Sequence, residues 1–97
     1  MEAHGYFDVE RIDSIVHAYP RGGFNSQGII ALRTEVISQA PQTPWILFEH
    51  PKEFAGLTPD AVDALKESYL IFSTLICCAI ALEISTTWKN VIDKQIT

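Results

Sequence analysis

Ninety-seven residues, 47% of them hydrophobic and 20% charged, set a single globular domain over residues 1–97 and not a disordered tail. The net charge of −5, with lysines and arginines scattered singly, argues against a nucleic-acid module, because phosphate binding needs a basic face. Cys77 and Cys78 are the only cysteines, and neighbours on a strand point to opposite faces, so a shared disulfide or metal is not expected.

From the N-terminus, "YFDVERI" alternates apolar and polar residues, "DS" interrupts, and "IVHAYP" resumes. The pattern predicts a hairpin, with one strand at Tyr6–Ile12 and a second at Ile15–Tyr19. Pro20, Gly22 and Gly23 are expected to end the second strand. Asn25 or Ser26 then caps a helix whose apolar stripe is Ile29, Leu32, Val36 and Ala40, with Ile30 and Ile37 beside it. Gly28 weakens its first turn. "APQTP" is a rigid turn, and "WILFE" has the length and composition of a buried strand.

Thr58 followed by Pro59 starts a second helix, since threonine caps and proline fits the first helical position. Val62, Leu65, Tyr69 and Phe72 run along one side of it. "CCAIALEI" reads as a fourth, buried strand, and Leu65, Tyr69, Ile80 and Leu82 are expected to share the core there. "STTWKNVIDKQI" offers Ser85 or Thr87 as the cap of a third helix, with Trp88, Val91, Ile92 and Ile96 on its apolar side. The uncharged stretch "SYLIFSTLICCAIAL" is shorter than the roughly 20 residues of a membrane span and is bounded by acids, so no span is expected. The polar, acidic opening has no signal-peptide character, and two reduced, buried cysteines suit a reducing compartment, so the expected location is the cytoplasm.

The expected fold is α/β, a four-stranded mixed sheet with three helices in the order β-β-α-β-α-β-α. This order resembles the STAS domain, named for sulfate transporters and anti-sigma-factor antagonists. Four marks carry the resemblance: the turn Gly22-Gly23-Phe24-Asn25 before the first helix, the apolar strand "WILFE" ending in an acid, a loop feeding the second helix, and a buried strand before the last helix. In the antagonist branch, the resemblance implies a loop serine phosphorylated by a partner kinase. Here the corresponding Glu53-Phe54-Ala55-Gly56 keeps an acid and a glycine but has no hydroxyl. Thr58 is the nearest acceptor, and its oxygen is expected to cap the second helix. At Ile76, where relatives place a glycine, a β-branched residue resists the left-handed cap, so the helix is expected to end differently.

Glu49 and Glu83 end two strands that are expected to be parallel neighbours, at the edge where open α/β sheets bind ligands. With His50 they could serve as acid and base or hold a divalent ion. The plainer reading is that both acids merely terminate strands. His50, held extended by Pro51, reads as a hydrogen-bonded strand-end residue, and His17 as a sheet-face histidine. No nucleophile–base pair, spaced metal motif or phosphate-binding glycine loop is present, so neither catalytic residues nor cofactors are implied.

The functional expectation is a small, non-catalytic regulatory or protein-interaction module. Its alternative is a small ligand-binding protein or hydrolase using Glu49, His50 and Glu83, with Glu53 and Thr58 completing the candidate site. Crossovers of one hand place the helices on one face, leaving the other face open. His17, Tyr19, Trp45 and Leu47, with Ile15, Ala79 and Ala81, are expected there as the interface of a homodimer or with a protein partner.

Overall fold

The computed structural model describes residues 2–83, so the expected third helix at Ser85 or Thr87 to Ile96 lies outside the described residues. The chain forms β1 (Tyr6–Ile12), β2 (Ile15–Phe24), α1 (Ser26–Gln39), β3 (Trp45–Glu49), β4 (Phe54–Leu57), α2 (Pro59–Thr74) and β5 (Cys77–Leu82). The mixed sheet has the order β1-β2-β3-β5, with β4 pairing to the far end of β2. Among the described residues it has five strands where four were expected. The α/β class holds.

β2 is the strand that the sequence reading cut short. It runs on through Pro20, Gly22 and Gly23 to Phe24, because β1 pairs with it as far as Arg21 and β4 pairs in parallel from Gly22 to Phe24. Pro20 lies between the last β3 pair, Ala18 with Glu49, and the first β4 pair, Gly22 with Phe54. A missing amide costs no ladder bond in that gap. Gly22 takes φ 78° beside the register shift at Gly22/Gly23, a bulge that glycine accommodates without strain.

Alternation along the strands divides the sheet into two faces. Val16, Ala18, Trp45 and Leu47 are buried on the helix side with Phe24, Ile29, Leu32, Val36 and Phe72. Trp45 and Leu47 therefore do not join His17 and Tyr19, as the sequence reading had them. The parallel register pairs Leu47 with Val16, and His17 with Phe48, so Ile46 and Phe48 occupy the opposite face, open in that neither described helix packs on it. Ala79 and Ala81 do lie there, opposite Ile46 and Phe48.

Asn25 caps α1, accepting from Gly28 N at 2.9 Å, and the same oxygen accepts from His4 N at 2.9 Å. Its amide donates to Glu2 O at 2.8 Å, so one buried side chain ties the N-terminal arm across the helix start. Gly28 has a reason beyond helix propensity: a Cβ there would stand 1.9 Å from the His4 carbonyl oxygen. A second polar tie joins the helices. Buried Ser68 accepts from Arg33 Nε at 2.8 Å and donates to Ala64 O, while Arg33 also donates to Ala64 O and reaches Glu67.

The stretch "SYLIFSTLICCAIAL" divides between the end of α2 and β5, and among the described residues no helix is long and apolar enough to cross a membrane. α2 ends at Leu75, and Ile76 adopts the left-handed φ of 69° that its β-branched side chain was expected to refuse. The tertiary structure holds it there. Trp45, fully buried, donates its indole N–H to Leu75 O at 2.7 Å and its backbone N–H to Ile76 O at 3.2 Å. Ile80 and Leu82 are each 41% exposed instead of buried. β5 is the edge strand of the ordered path, and the buried side of α2 is engaged elsewhere, by Arg33 through Ser68 and by Trp45 through Phe72. Cys77 is half-buried, but Cys78 is exposed, against the expectation of two buried thiols.

Gly28→Ala tests the arm. Propensity alone would favour alanine by about 1 kcal/mol, but the clash with the His4 carbonyl should reverse the sign, to a loss of about 1–3 kcal/mol. Urea denaturation measures it, and a net gain would show that the arm does not cross the helix. Ile76→Gly should be neutral or stabilise by up to about 1 kcal/mol, because a left-handed non-glycine residue costs about 1–2 kcal/mol. The comparably exposed Ile30→Gly within α1 should instead destabilise by about 1 kcal/mol. Equal losses at the two positions would contradict the strain at Ile76.

Candidate functional site

The C-terminal edge of β3 sends three consecutive side chains to alternate faces. Phe48 and His50 project from the open face, and Glu49 projects toward the helices. The ladder continues past β3, since His50 N donates to Ala18 O at 2.7 Å. Glu83 N donates to Glu49 O at 2.8 Å, so the two glutamates are neighbours along the backbone.

Their carboxylates nevertheless part company. On the open face, Glu83 Oε2 lies 2.5 Å from His50 Nδ1, and His50 Nε2 lies 2.8 Å from His17 Nδ1. With His50 neutral, its Nδ1–H donates to Glu83 and its Nε2 accepts from His17 Nδ1–H. The Nε2 of His17 then carries the terminal lone pair of a Glu–His–His chain, and among the described residues it has no partner. Rings pack around the chain: His50 stacks on Phe48 at 4.2 Å and 8°, on Tyr19 at 4.8 Å, and on His17 at 5.1 Å. Glu10 of β1 pairs in register with His17 and adds an acid on that face. The arrangement can pass a proton between the imidazoles. Among the described residues, aromatic rings surround it.

On the helix side, Tyr69 of α2 donates its hydroxyl to Glu49 Oε2 at 2.7 Å. Burial pushes the Glu49 carboxyl above its ordinary value, and the Tyr69 hydrogen bond opposes that shift without cancelling it. Burial, followed by the neighbouring Glu49 charge, drives the Tyr69 phenol far upward, so it remains a hydrogen-bond donor at any physiological pH. Both groups line a cavity of about 140 Å³, whose other walls include Phe24, Leu32, Phe54 and Leu65.

The remaining candidates are dispersed. Glu53 sits at φ 48° and contributes its backbone carbonyl, which accepts from Gly22 N at 3.1 Å. The loop expected to feed the second helix is partly strand, because Phe54–Leu57 forms β4. Thr58 caps α2, accepting from Ala61 N and donating to the Asp60 carboxylate, and hydrogen bonds from Thr58 and then Ser26 hold that carboxyl below its ordinary value. Glu49, His50 and Glu83 therefore do not form one site. His50 and Glu83 share a chain with His17, while Glu49 belongs to Tyr69. Among the described residues no group of three or more histidines, cysteines or acids is placed to hold a metal ion.

The sequence reading missed Tyr69, Phe48 and the link from His17 to His50. The available signal was the parallel register: once β2 and β3 pair, odd positions of β2 share a face with even positions of β3. No family model, curated protein or solved structure matches this chain.

Glu49→Gln keeps an acceptor for Tyr69 and removes the titration. A carboxyl whose folded pKa is raised stabilises the fold fully below its unfolded value, near 4.5, and loses that contribution as pH rises through the folded value. The wild type should therefore lose stability relative to Glu49→Gln on going from pH 4 toward neutrality, read as a growing gap between urea midpoints. A gap that does not change with pH would show that Glu49 is solvated.

Proposed function

We propose that this chain is a small, non-catalytic interaction module of STAS-like arrangement, working in the cytoplasm and docking through the open face of its sheet. One observation carries the reading. Both described helices pack on the same face, and the opposite face holds the contiguous rings of His17, Tyr19, Phe48 and His50, with Tyr6 and Ile12 exposed at its margin. Stacked aromatic and imidazole rings offer apolar area with polar edges, the composition that protein interfaces favour. The proposed occupant is a second copy of the chain, since an isologous contact buries the same patch twice. The STAS-like reading rests on the order of elements expected from the sequence, while the missing loop hydroxyl and the capping duty of Thr58 argue for a partner contact that phosphate does not switch.

A second reading rests on a different observation. Among the described residues, the cavity beside Glu49 and Tyr69 is lined by apolar side chains apart from those two groups, which is the character of a small-ligand site. The hydrolase form of that reading loses its acid–base pair, because Glu49 and Glu83 face opposite sides of the sheet.

Sedimentation equilibrium tests the module. The wild type should associate to a dimer at micromolar concentration, and Phe48→Glu, which places a charge in the ring cluster, should shift it to monomer with its circular dichroism unchanged. A wild-type monomer at high micromolar concentration would overturn the dimer.

A further inference from the structure

A partly buried carboxyl against hydrocarbon walls favours a counter-charge or its neutral form, and among the described residues Glu49 makes no ion pair. The nearby guanidinium of Arg33 is engaged with Ser68, the Ala64 carbonyl and Glu67. Tyr69 satisfies Glu49 Oε2, and Oε1 has no partner among the described residues. We propose that the cavity beside Glu49 binds a small primary monoamine, its ammonium paired with the Glu49 carboxylate and its hydrocarbon body in the cavity. The proposal deepens the second reading above and rests on it.

Three features select this ligand class. The walls are hydrocarbon, from Phe24, Leu32, Phe54 and Leu65, so the body of the ligand must be apolar. A volume of about 140 Å³ matches a body of roughly six heavy atoms, since an apolar cavity of about 150 Å³ accepts benzene. With Glu49 ionised, the polar end presents acceptors only: Oε1 of Glu49 and the lone pair of a phenol whose proton is already committed to Oε2. An ammonium group supplies donors to both. A carboxylate or phosphate would meet an acid, and an alcohol would leave the charge unmatched. The net charge of −5 further favours a cation at the mouth.

Isoamylamine and its neutral isostere isoamyl alcohol separate charge recognition from simple filling of the cavity. Each is titrated into methyl-labelled protein at neutral pH and followed by NMR. Isoamylamine should saturate with shifts centred on the Leu32 and Leu65 methyl groups and bind at least tenfold tighter than the alcohol. Glu49→Gln should abolish that preference, bringing the affinity for the amine to that for the alcohol. Tyr69→Phe, which keeps the carboxylate, should weaken the amine less than Glu49→Gln does. Equal binding of amine and alcohol would overturn the amine inference while leaving a ligand cavity in place. Shifts from neither ligand, or amine shifts confined to surface carboxylates, would overturn both the inference and the ligand-site reading.

Discussion

β2 is the constraint on which the rest of the structure depends. It pairs with β1 on one side, and on the other with β3 and then β4, so every strand except β5 is hydrogen-bonded to it directly. Val16 and Ala18, both fully buried, sit under the helices. Their alternation with His17 and Tyr19 decides which face of every paired strand is core. A one-residue slip between β2 and β3 would turn Trp45 and Leu47 out of the core and bring Phe48 in.

The same alternation produces two chemically distinct environments one residue apart. Glu49 enters an apolar space where burial favours its neutral form, and His50 enters a stack of rings where Glu83 and His17 engage both of its nitrogens. Backbone proximity of Glu49 and Glu83 does not bring their carboxylates together. A strand edge carries side chains in opposite directions, and the sheet itself separates them. The edge where parallel strands end is thus two sites back to back.

Polar ties, not only hydrocarbon contacts, fix the helices on their face. Asn25 gathers the arm, the α1 start and Gly28 into one hydrogen-bonded group, and Ser68 with Arg33 bridges α1 to α2. Breaking one partner of such a group leaves the others buried without hydrogen bonds, at about 1–3 kcal/mol for each orphaned group. Trp45 does the corresponding work at the end of α2, where its two N–H groups hold Leu75 and Ile76 in a conformation that isoleucine alone disfavours.

By itself the sequence determined the local elements: the hairpin over "YFDVERI" and "IVHAY", the Asn25 and Thr58 caps, the apolar stripe of α1, and the strands at Trp45–Glu49 and Cys77–Leu82. These follow from periodicity and capping chemistry, which act within a few residues. Only the tertiary structure decided what depends on partners far along the chain. Phe54–Leu57 is too short to announce itself as a strand and exists as one because Gly22–Phe24 offers it a ladder. Ile76 is left-handed because buried Trp45 holds the carbonyls of Leu75 and Ile76. Trp45 and Leu47 lie in the core, and His17 joins His50, because the register between β2 and β3 set their faces. Alternation is visible in a sequence, but which of its two phases faces the helices is settled only when the strands pair.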